Sequence, residues 1–503
     1  MHTRLFVTAV YHGVFGMTSA YYLTVMNSLE PFVRQFANET LANTFDVALS
    51  ETQIAFAWSL GSAMLPAGAV AGTFIARYAA DRFGRRFAVM VFTNLLMIVA
   101  SSALYLAYHL RSYALFLACR LLIGCSRTSQ WFMVTYLTES TPPETRGFTS
   151  LVAVIGTRAW SLSGCLLALP SVGGTHDLWP YLMLVPLPFA LLHLSTTPVF
   201  PQSPKYLYIT ENNKAAAVKA LHFFYGNDSD TGRVLRSYDR ERKMSVGQHK
   251  CTWTELVTVR HFRTPLMLCL LASISPALVG TPIAIYYSTG VLQSLGVADG
   301  ALLSALAVHA PAIFVGLSSV LLVDRIGRRV CLLSGLGIGI LAISSLFIAG
   351  ILYSIGHTHV SAILSVVALL LLANGVAFGP DYMYTILPGE LCPQASRTLT
   401  WNTACAAVWS LDFLIVLVYP VLSSQIGAFA VLPLLTSSVF VTIILLVYLP
   451  ETKGRTVDEV HLSASWVAAK HFEEKMITDD GDEEKKIDGN EESSCDEQEG
   501  LVL

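Results

Sequence analysis

Three ionisable residues, Arg158, Asp381 and Asp412, lie within long apolar stretches of the sequence, where a charge needs a partner. An ionised side chain at the centre of a membrane costs about 2.5–3.5 kcal/mol, so such groups face a partner or a water-filled path. They can form an ion pair between helices, orient an anionic or strongly polar small molecule, or carry a proton. The sequence leaves all three possibilities open.

Other polar and aromatic residues recur near these charges at helical spacing. Thr157 and Ser161 flank Arg158 in one apolar stretch. Trp409 lies about one helical turn before Asp412 in another. A polar stripe on an otherwise apolar helix indicates a face that is turned toward a cavity or a neighbouring helix. Thr157, Arg158, Asp381, Trp409 and Asp412 are therefore candidates for contacts with a small polar ligand.

The composition is that of a helical bundle embedded in lipid. The chain has 503 residues, of which 53% are hydrophobic and only 13% are charged, and its mean hydropathy is +0.55. Residues 451–503 contain 16 acidic and 6 basic side chains, so the net charge of −3 combines an acidic end with a basic body. This distribution argues against a water-soluble enzyme and against a nucleic-acid-binding protein with a basic face.

Apolar stretches long enough to cross a bilayer, which takes about 20 residues per helix, recur along the chain. We predict twelve transmembrane helices, at 5–26, 53–76, 87–110, 113–138, 147–170, 178–199, 264–290, 301–323, 330–353, 360–386, 398–421 and 427–449. Arginines in the short connections place both termini and the 200–262 loop in the cytoplasm. Asn38, in the first outer loop, fits a glycosylation sequon. None of the nine cysteines falls clearly in an outer loop, so no disulfide framework is predicted.

An internal repeat divides the sequence into two similar halves. The hexapeptide at 81–86, Asp-Arg-Phe-Gly-Arg-Arg, recurs at 324–329 as Asp-Arg-Ile-Gly-Arg-Arg. Each half also has a glutamate seven residues before an arginine. Such repeats in a helical membrane protein indicate a transporter whose site lies between the halves. We predict an N-terminal six-helix half (1–199), a cytosolic loop with short helices (200–262), a C-terminal six-helix half (263–450) and an acidic, disordered cytosolic tail (451–503).

The charged residues of the repeat predict a gating network at the cytoplasmic ends of the helices. Retention of arginines on the cytoplasmic side explains the basic residues, but it does not explain the acids or their equal spacing. Bonds between these charges that link the halves when the inner side is closed would set the balance between two states. The predicted network consists of Asp81, Arg82, Arg85, Arg86, Glu139, Arg146, Asp324, Arg328, Arg329, Glu390 and Arg397.

Several of these motifs carry a family resemblance. The repeated hexapeptide, Pro201–Leu207, Tyr286–Thr289 and Pro450–Gly454 resemble the sugar porter branch of the major facilitator superfamily. Within that branch the chain is most similar to the animal facilitative glucose and fructose transporters. The resemblance implies an all-α membrane protein of two pseudo-symmetric six-helix bundles that transports a solute by alternating access. It implies no catalysis, cofactor or metal.

The resemblance weakens at the positions where the family binds sugar. The usual seventh-span sequence Gln-Gln-Leu-Ser-Gly-Ile-Asn is replaced by Pro-Ala-Leu-Val-Gly-Thr-Pro at 276–282. Thr385 takes the place of the tenth-span tryptophan, and Asp412 that of the eleventh-span asparagine. Tyr286 and Tyr287 keep the aromatic pair. Because amides offer both a donor and an acceptor to hydroxyl groups, their loss predicts altered recognition. Thr385, Tyr286 and Tyr287 complete the candidate substrate-binding set.

The resemblance implies facilitative transport of a hexose, or a related polar solute, across the plasma membrane. Alternatives are a carrier for an anionic solute such as urate or dehydroascorbate, a proton-coupled symporter, and a non-transporting sensor. Tyr22 stands where many proton-coupled sugar porters have an acid, which favours facilitated diffusion. The expected partners are a small polar solute, with a sugar as the first candidate, and the lipid bilayer, with no nucleic acid. Leu501-Val-Leu503 is a weak docking signal for a carboxylate-binding domain.

Overall fold

A computed structural model describes residues 3–129, 131–142, 145–226, 231–245, 251–455, 457 and 459–460. The described residues form α-helices with short 3-10 and π segments, and they include no β-strand. The predicted disordered tail and the Leu501-Val-Leu503 docking signal lie outside the described residues, apart from the tail's first few positions.

The first half of the chain forms six spans, several of them broken by a turn. Its helices are α1 (Thr3–Phe15), α2 (Tyr21–Ser28), α3 (Glu30–Phe45), α4 (Glu51–Phe83), α5 (Thr93–His109), α6 (Tyr113–Ser129), α7 (Trp131–Glu139), α8 (Arg146–Leu167), α9 (Trp179–Leu182) and α10 (Pro186–Ser195). A 3-10 turn joins α1 to α2 in the first span. A π segment, Phe87–Phe92, begins the third.

Four short helices follow between the two halves: α11 (Pro204–Ile209), α12 (Lys214–Tyr225), α13 (Thr231–Ser245) and α14 (Trp253–Thr258). Side-chain caps start α11, α12 and α14, because an N-terminal turn leaves backbone N–H groups without partners. Ser203 accepts from the Tyr206 backbone N–H, and Thr252 forms a reciprocal capping box with Glu255. The tip of α12 packs against the first bundle, where the Phe224 ring contacts that of Tyr136.

The second half repeats the six-span pattern. Its helices are α15 (Arg260–Leu278), α16 (Thr281–Tyr286), α17 (Ser288–Ser294), α18 (Gly300–Ser304), α19 (Ala310–Ile326), α20 (Arg328–Ser354), α21 (Thr358–Phe378), α22 (Pro380–Leu391), α23 (Gln394–Ile426) and α24 (Leu432–Tyr448). The seventh span breaks at Gly280, whose φ of 94° favours glycine, and the tenth breaks at Gly379 before a proline. Such breaks are tolerated where the backbone lines a cavity.

Seven helical segments of the described chain are, by length and composition, long and apolar enough to cross a membrane. The remaining spans are interrupted or carry polar groups, which shortens their uninterrupted apolar runs. Together the helices form the predicted all-α fold of twelve transmembrane spans in two six-helix bundles.

Small residues set the close packing inside each bundle. A Cβ added to Gly68 on α4 would lie 1.9 Å from the Leu121 carbonyl oxygen of α6. A Cβ on Gly124 of α6 would lie 2.0 Å from the carbonyl oxygen of Leu65. Because lipid provides no hydrophobic force between helices, such close backbone approach provides the packing energy. The packing of α4 against α6 in the first bundle therefore depends on glycines as well as on large side chains.

The first outer connection contains a helix, α3, where the sequence predicted a loop. Pro31 in the first turn favours helix initiation, and Val33, Phe36, Ala37 and Thr40 bury one face of it. Asn38 lies on this helix and is half-buried. Its glycosylation stays a prediction.

If Asn38 carries a glycan, protein made in a eukaryotic cell will migrate faster after glycosidase treatment. The substitution Asn38→Gln removes the acceptor amide and should abolish that shift. An unchanged mobility of the wild-type protein on treatment would contradict the prediction.

Candidate functional site

A cavity of about 140 Å³ lies between the two six-helix halves. The first half contributes residues of its first, fourth and fifth spans, and the second half contributes residues of four spans. Its polar and aromatic lining consists of Thr24, Arg127, Thr157, Arg158, Ser161, Thr281, Tyr286, His309, Asp381, Tyr382, Tyr384, Trp409 and Asp412. Small-molecule pockets usually occupy about 300 Å³ or more, so this cavity is contracted.

An ion pair joins the halves across this cavity. The Arg158 guanidinium, on α8, donates to the carboxylate of Asp381, on α22. Their side chains are 19% and 32% exposed, so the pair is largely shielded by protein. A charge pair of this kind links the halves, and removing one partner leaves a poorly solvated charge. The structure thus brings together two of the residues predicted to share a cavity.

Asp412 supplies a second carboxylate to the same cavity. It lies on α23, and no described side chain donates a hydrogen bond to it or pairs with it as an ion. Trp409, one turn earlier, also lines the cavity and is 9% exposed. A carboxylate with both oxygens open can accept from the hydroxyl groups of a ligand while the indole ring covers an apolar face.

Two further polar groups line the cavity without a hydrogen-bond partner among the described residues: the hydroxyl of Tyr286 and His309 Nε2. Tyr286 and His309 are only 4% and 6% exposed. A buried polar group that lacks a partner costs free energy unless a ligand or water satisfies it. These atoms therefore indicate a place where a polar ligand binds.

The cavity includes six of the eight residues that the sequence suggested for substrate contact. Thr157 lines it, although its hydroxyl also donates to the Ala153 carbonyl at 3.0 Å. Thr385 does not line the cavity, since its hydroxyl donates to the Tyr382 carbonyl at 2.6 Å. Tyr287 also turns away, and donates to the Val416 carbonyl at 2.7 Å. Thr385, which takes the place of the family's tenth-span tryptophan, therefore does not face this cavity.

His309 and Tyr382 are functional candidates that sequence reasoning missed. The comparison with family motifs pointed to Ala312 in the eighth span, one turn after His309. The π segment Ala305–His309 changes the helical phase at this point, so a count along a regular helix does not find the cavity-facing residue. For His309, the signal available in the sequence was a histidine within an apolar span.

A larger cavity of about 660 Å³ lies at the outer ends of the helices. Its lining includes Glu30 and Arg34 of α3, together with Trp58, Tyr287 and Tyr419. Beside it, Asn27 of the first half donates to the Ser288 hydroxyl at 2.7 Å and accepts from the Thr289 backbone N–H at 3.0 Å. The halves thus touch at their outer ends as well as at the central cavity.

The charged motifs at the inner ends form the same arrangement in each half. In the first, Arg85 Nε lies 3.5 Å from Glu139, which also accepts from the Ser203 hydroxyl at 2.5 Å. In the second, Arg328 lies 2.9 Å from Glu390, which accepts from the Thr452 hydroxyl at 2.5 Å. The repeat in the sequence is therefore also a repeat in the structure.

A second element of the arrangement caps a helix in each half. The Gln202 side chain accepts from the Arg86 backbone N–H at 2.7 Å, and Glu451 accepts from the Arg328 backbone N–H at 2.9 Å. Each acceptor lies beside the first turn of another span, where the backbone N–H groups have no partner within the helix. Arg86 and Arg329 in turn donate to carbonyl oxygens of Phe200 and Leu446. The sixth and twelfth spans are thereby tied to the third and ninth.

Each of these ion pairs lies within one half. Bonds that link the halves when the inner side is closed stay a prediction. Each acid and its arginine belong to neighbouring spans of the same repeat, so their bonds brace one bundle. Asp81 likewise pairs with Arg77 and Arg85 of its own half, at 3.4 and 3.6 Å. Between the halves at the inner end, Arg77 Nη1 donates to the Thr398 carbonyl at 3.3 Å.

The remaining members of the predicted network are placed as follows. The Arg82 side chain is exposed, and Arg397 is half-buried on α23. Arg146 begins α8 and Asp324 lies near the end of α19, but their side chains lie outside what the structure describes.

Removing either bracing acid should destabilise the protein. Glu139→Gln and Glu390→Gln each replace a charge-assisted bond by a weaker neutral one, so we expect each to lower the free energy of unfolding by about 1.5–3 kcal/mol. Thermal unfolding in detergent measures the effect. Glu211→Gln, at an exposed position between α11 and α12, is the matched control and should unfold like wild type. If Glu139→Gln and Glu390→Gln unfold at the same temperature as the control variant, the two acids do not brace the bundles.

The comparisons with known proteins agree with this architecture. The family described as "Sugar (and other) transporter" matches residues 8–463. The chain belongs to this sugar transporter family. Facilitated glucose transporter member 3 of Mus musculus is 27% identical over 438 residues, which are 87% of this chain and 88% of that protein. Member 14 of Homo sapiens is 27% identical over 440 residues, covering 87% and 83%.

Solved structures of a sugar transporter share the fold. A partially occluded, inward-open structure of the xylose transporter XylE from E. coli aligns with a TM-score of 0.73 at 17% identity, covering 90% of this chain and all of that one. An inward-open structure of XylE aligns with a TM-score of 0.72 at 19% identity, covering 92% of this chain and all of that one. The chain is thus a multi-pass membrane protein with the major facilitator fold.

Proposed function

We propose that this protein is a facilitative carrier that moves a hexose, or a related hydroxyl-rich solute, across the plasma membrane by alternating access. The observation that carries the proposal is the cavity between the halves, where Tyr286 and His309 present polar atoms without partners beside the open carboxylate of Asp412. Its relatives are facilitated glucose transporters by name, which supports a sugar as the solute.

The contacts between the halves provide an opening mechanism. At the outer end Asn27 bonds to Ser288 and Thr289, and at the inner end Arg77 bonds to Thr398. The bracing ion pairs keep each six-helix half rigid while these contacts alternately break. Rigid halves that rock about a central site expose the cavity to one side at a time. On this account both termini and the 200–262 loop are cytoplasmic.

The charges of the cavity favour an uncharged solute. Arg127 and Arg158 are balanced by Asp381 and Asp412 among the cavity-lining residues. An anionic solute would have to displace Asp381 from Arg158 while facing the open carboxylate of Asp412, and like charges so close are unfavourable. Hydroxyl groups meet no such penalty, since they donate to Asp412 and accept from the tyrosines.

Proton-coupled transport is a second candidate, which the isolated carboxylate of Asp412 favours. A carboxylate without an ion-pair partner at membrane depth is the kind of group that carries protons in transporters. The two candidates differ in one measurable property, because only coupled transport accumulates solute in response to a pH gradient.

A competition uptake assay in proteoliposomes tests the proposal. The purified protein is given radiolabelled glucose, with fructose, urate and dehydroascorbate as competitors, with and without a pH gradient. We expect saturable hexose uptake that urate does not inhibit and that a pH gradient does not drive uphill. Stronger inhibition by urate than by fructose would contradict the neutral-solute assignment. Accumulation of solute driven by the pH gradient would show that the protein is a proton-coupled symporter and not a facilitative carrier. Specific binding of a solute without net movement would identify a sensor.

A further inference from the structure

Two buried thiols face each other at the inner end of the second half. Cys269 Sγ, on α15, lies 4.0 Å from Cys392 Sγ, in the short connection between α22 and α23. Both residues are fully buried. The described cysteines form no disulfide, so the two thiols are free. This is a pair of reactive groups in contact at a place that the transport mechanism does not use.

The surroundings of Cys392 favour its thiolate form. Hydrogen bonding to the Cys269 thiol, with the positive charge of Arg397 nearby, lowers the pKa of Cys392 in spite of its burial. Cys392 also lies two residues before α23, a helix of 33 residues whose N-terminus carries partial positive charge. Cysteines at helix N-termini or beside arginines have a lowered pKa, and the resulting thiolates are nucleophilic.

The position of Cys392 gives small reagents a route to it. Gln394, two residues on, is exposed, so the connection that carries Cys392 reaches the protein surface. Opening of the inner ends during transport would uncover this connection. Peroxide is small enough to use such an opening.

We propose that Cys392 and Cys269 form a reversible, peroxide-sensitive thiol pair that ties α15 to the connection between α22 and α23. The Cys392 thiolate attacks one peroxide oxygen and the O–O bond breaks, which turns Cys392 into a sulfenic acid. The hydroxide that departs combines with the proton that the Cys392 thiol released on ionising, and one water forms. Cys269 Sγ then attacks Cys392 Sγ, the S–O bond breaks, and the hydroxide that leaves takes the Cys269 proton to form water. Two thiols and one hydrogen peroxide thus give one disulfide and two waters, and an added dithiol reduces the disulfide back to two thiols.

The reaction needs only a small approach of the two sulfurs. A disulfide bond is about 2.0 Å long, so the 4.0 Å separation must shorten by about half. The break in the chain between α22 and α23 gives Cys392 freedom that a residue inside a helix lacks. The resulting link would restrain the inner ends of the seventh, tenth and eleventh spans against one another.

Mass spectrometry of the intact chain in detergent tests the proposal without reference to any solute. After treatment with hydrogen peroxide and alkylation of the remaining thiols, we expect the loss of two titratable thiols and a peptide linked through Cys269 and Cys392. Dithiothreitol should restore both thiols. Cys331→Ser, at another fully buried cysteine of the same half, is the matched control and should behave like wild type.

The single variants separate the roles of the two sulfurs. Cys269→Ser should leave Cys392 as a sulfenic acid that a dimedone probe traps, whereas Cys392→Ser should abolish both the link and the trapping. A wild-type chain that keeps both thiols under peroxide, or that links either cysteine to a different one, would overturn the proposal. Because the link is detected chemically, this result is independent of whether the carrier transports a hexose.

Discussion

Replacing Arg158 by methionine should strongly destabilise the protein and nearly abolish uptake. The substitution leaves the Asp381 carboxylate in the cavity without its partner. Removal of one member of a fully buried ion pair costs about 3–5 kcal/mol, and we expect a smaller cost here because the two side chains are 19% and 32% exposed. We expect a matching fall in the thermal stability of the protein in detergent. We also expect hexose uptake to fall at least about tenfold, since about 1.4 kcal/mol changes an equilibrium by that factor.

A double variant separates loss of the pair from loss of the charges. In Arg158→Met with Asp381→Leu, both charges are replaced by apolar side chains, which is often neutral for stability. We expect the double variant to melt closer to wild type than the single Arg158 variant does, while uptake stays low because the cavity has lost two polar groups. A double variant as unstable as the single one would show that the two residues do not act as a pair.

Replacing Asp412 by alanine should weaken solute binding without unfolding the protein. Asp412 has no described partner to lose, so its removal costs no internal bond and relieves a buried charge. A hydrogen bond to a charged acceptor contributes about 1.5–3 kcal/mol, which predicts a rise in KM of roughly ten- to a hundredfold. Initial rates of hexose uptake over a range of concentrations give the KM.

An asparagine at position 412 is the informative companion variant. Asp412→Asn keeps an acceptor oxygen, adds a donor and restores the amide that is usual in the family, so we expect its KM to stay within a few-fold of wild type. Asp299→Asn, at an exposed position before α18, controls for the loss of an acid outside the cavity. An alanine variant with the KM of wild type would remove Asp412 from the binding site.

The sequence was sufficient to predict the fold and its internal symmetry. Apolar stretches gave the twelve spans, because length and hydropathy fix a transmembrane helix almost by themselves. The repeated hexapeptide predicted matching inner ends, and the structure shows the same bonds at Glu139 and Glu390. The placement of Arg158 and Asp381 in opposite halves also followed, since each unpaired charge needed a partner.

The details of the site depended on geometry that no periodicity reveals. The π segment before Ala310 turns His309 toward the cavity, and the break at Gly379 sets which residues of the tenth span face inward. As a result Tyr382 lines the cavity whereas Thr385 does not. The partner of each inner acid was also undetermined, because spacing alone cannot say whether an acid and an arginine meet within a half or across the two halves.

The most direct test of the central claim is a structure of the protein with its transported hexose bound. The account predicts density for one solute molecule in the cavity between the halves, with hydroxyls bonded to Asp412 and Tyr286 and a ring face against Trp409. A solute held instead in the outer cavity beside Glu30 and Arg34, with the central cavity empty, would contradict it.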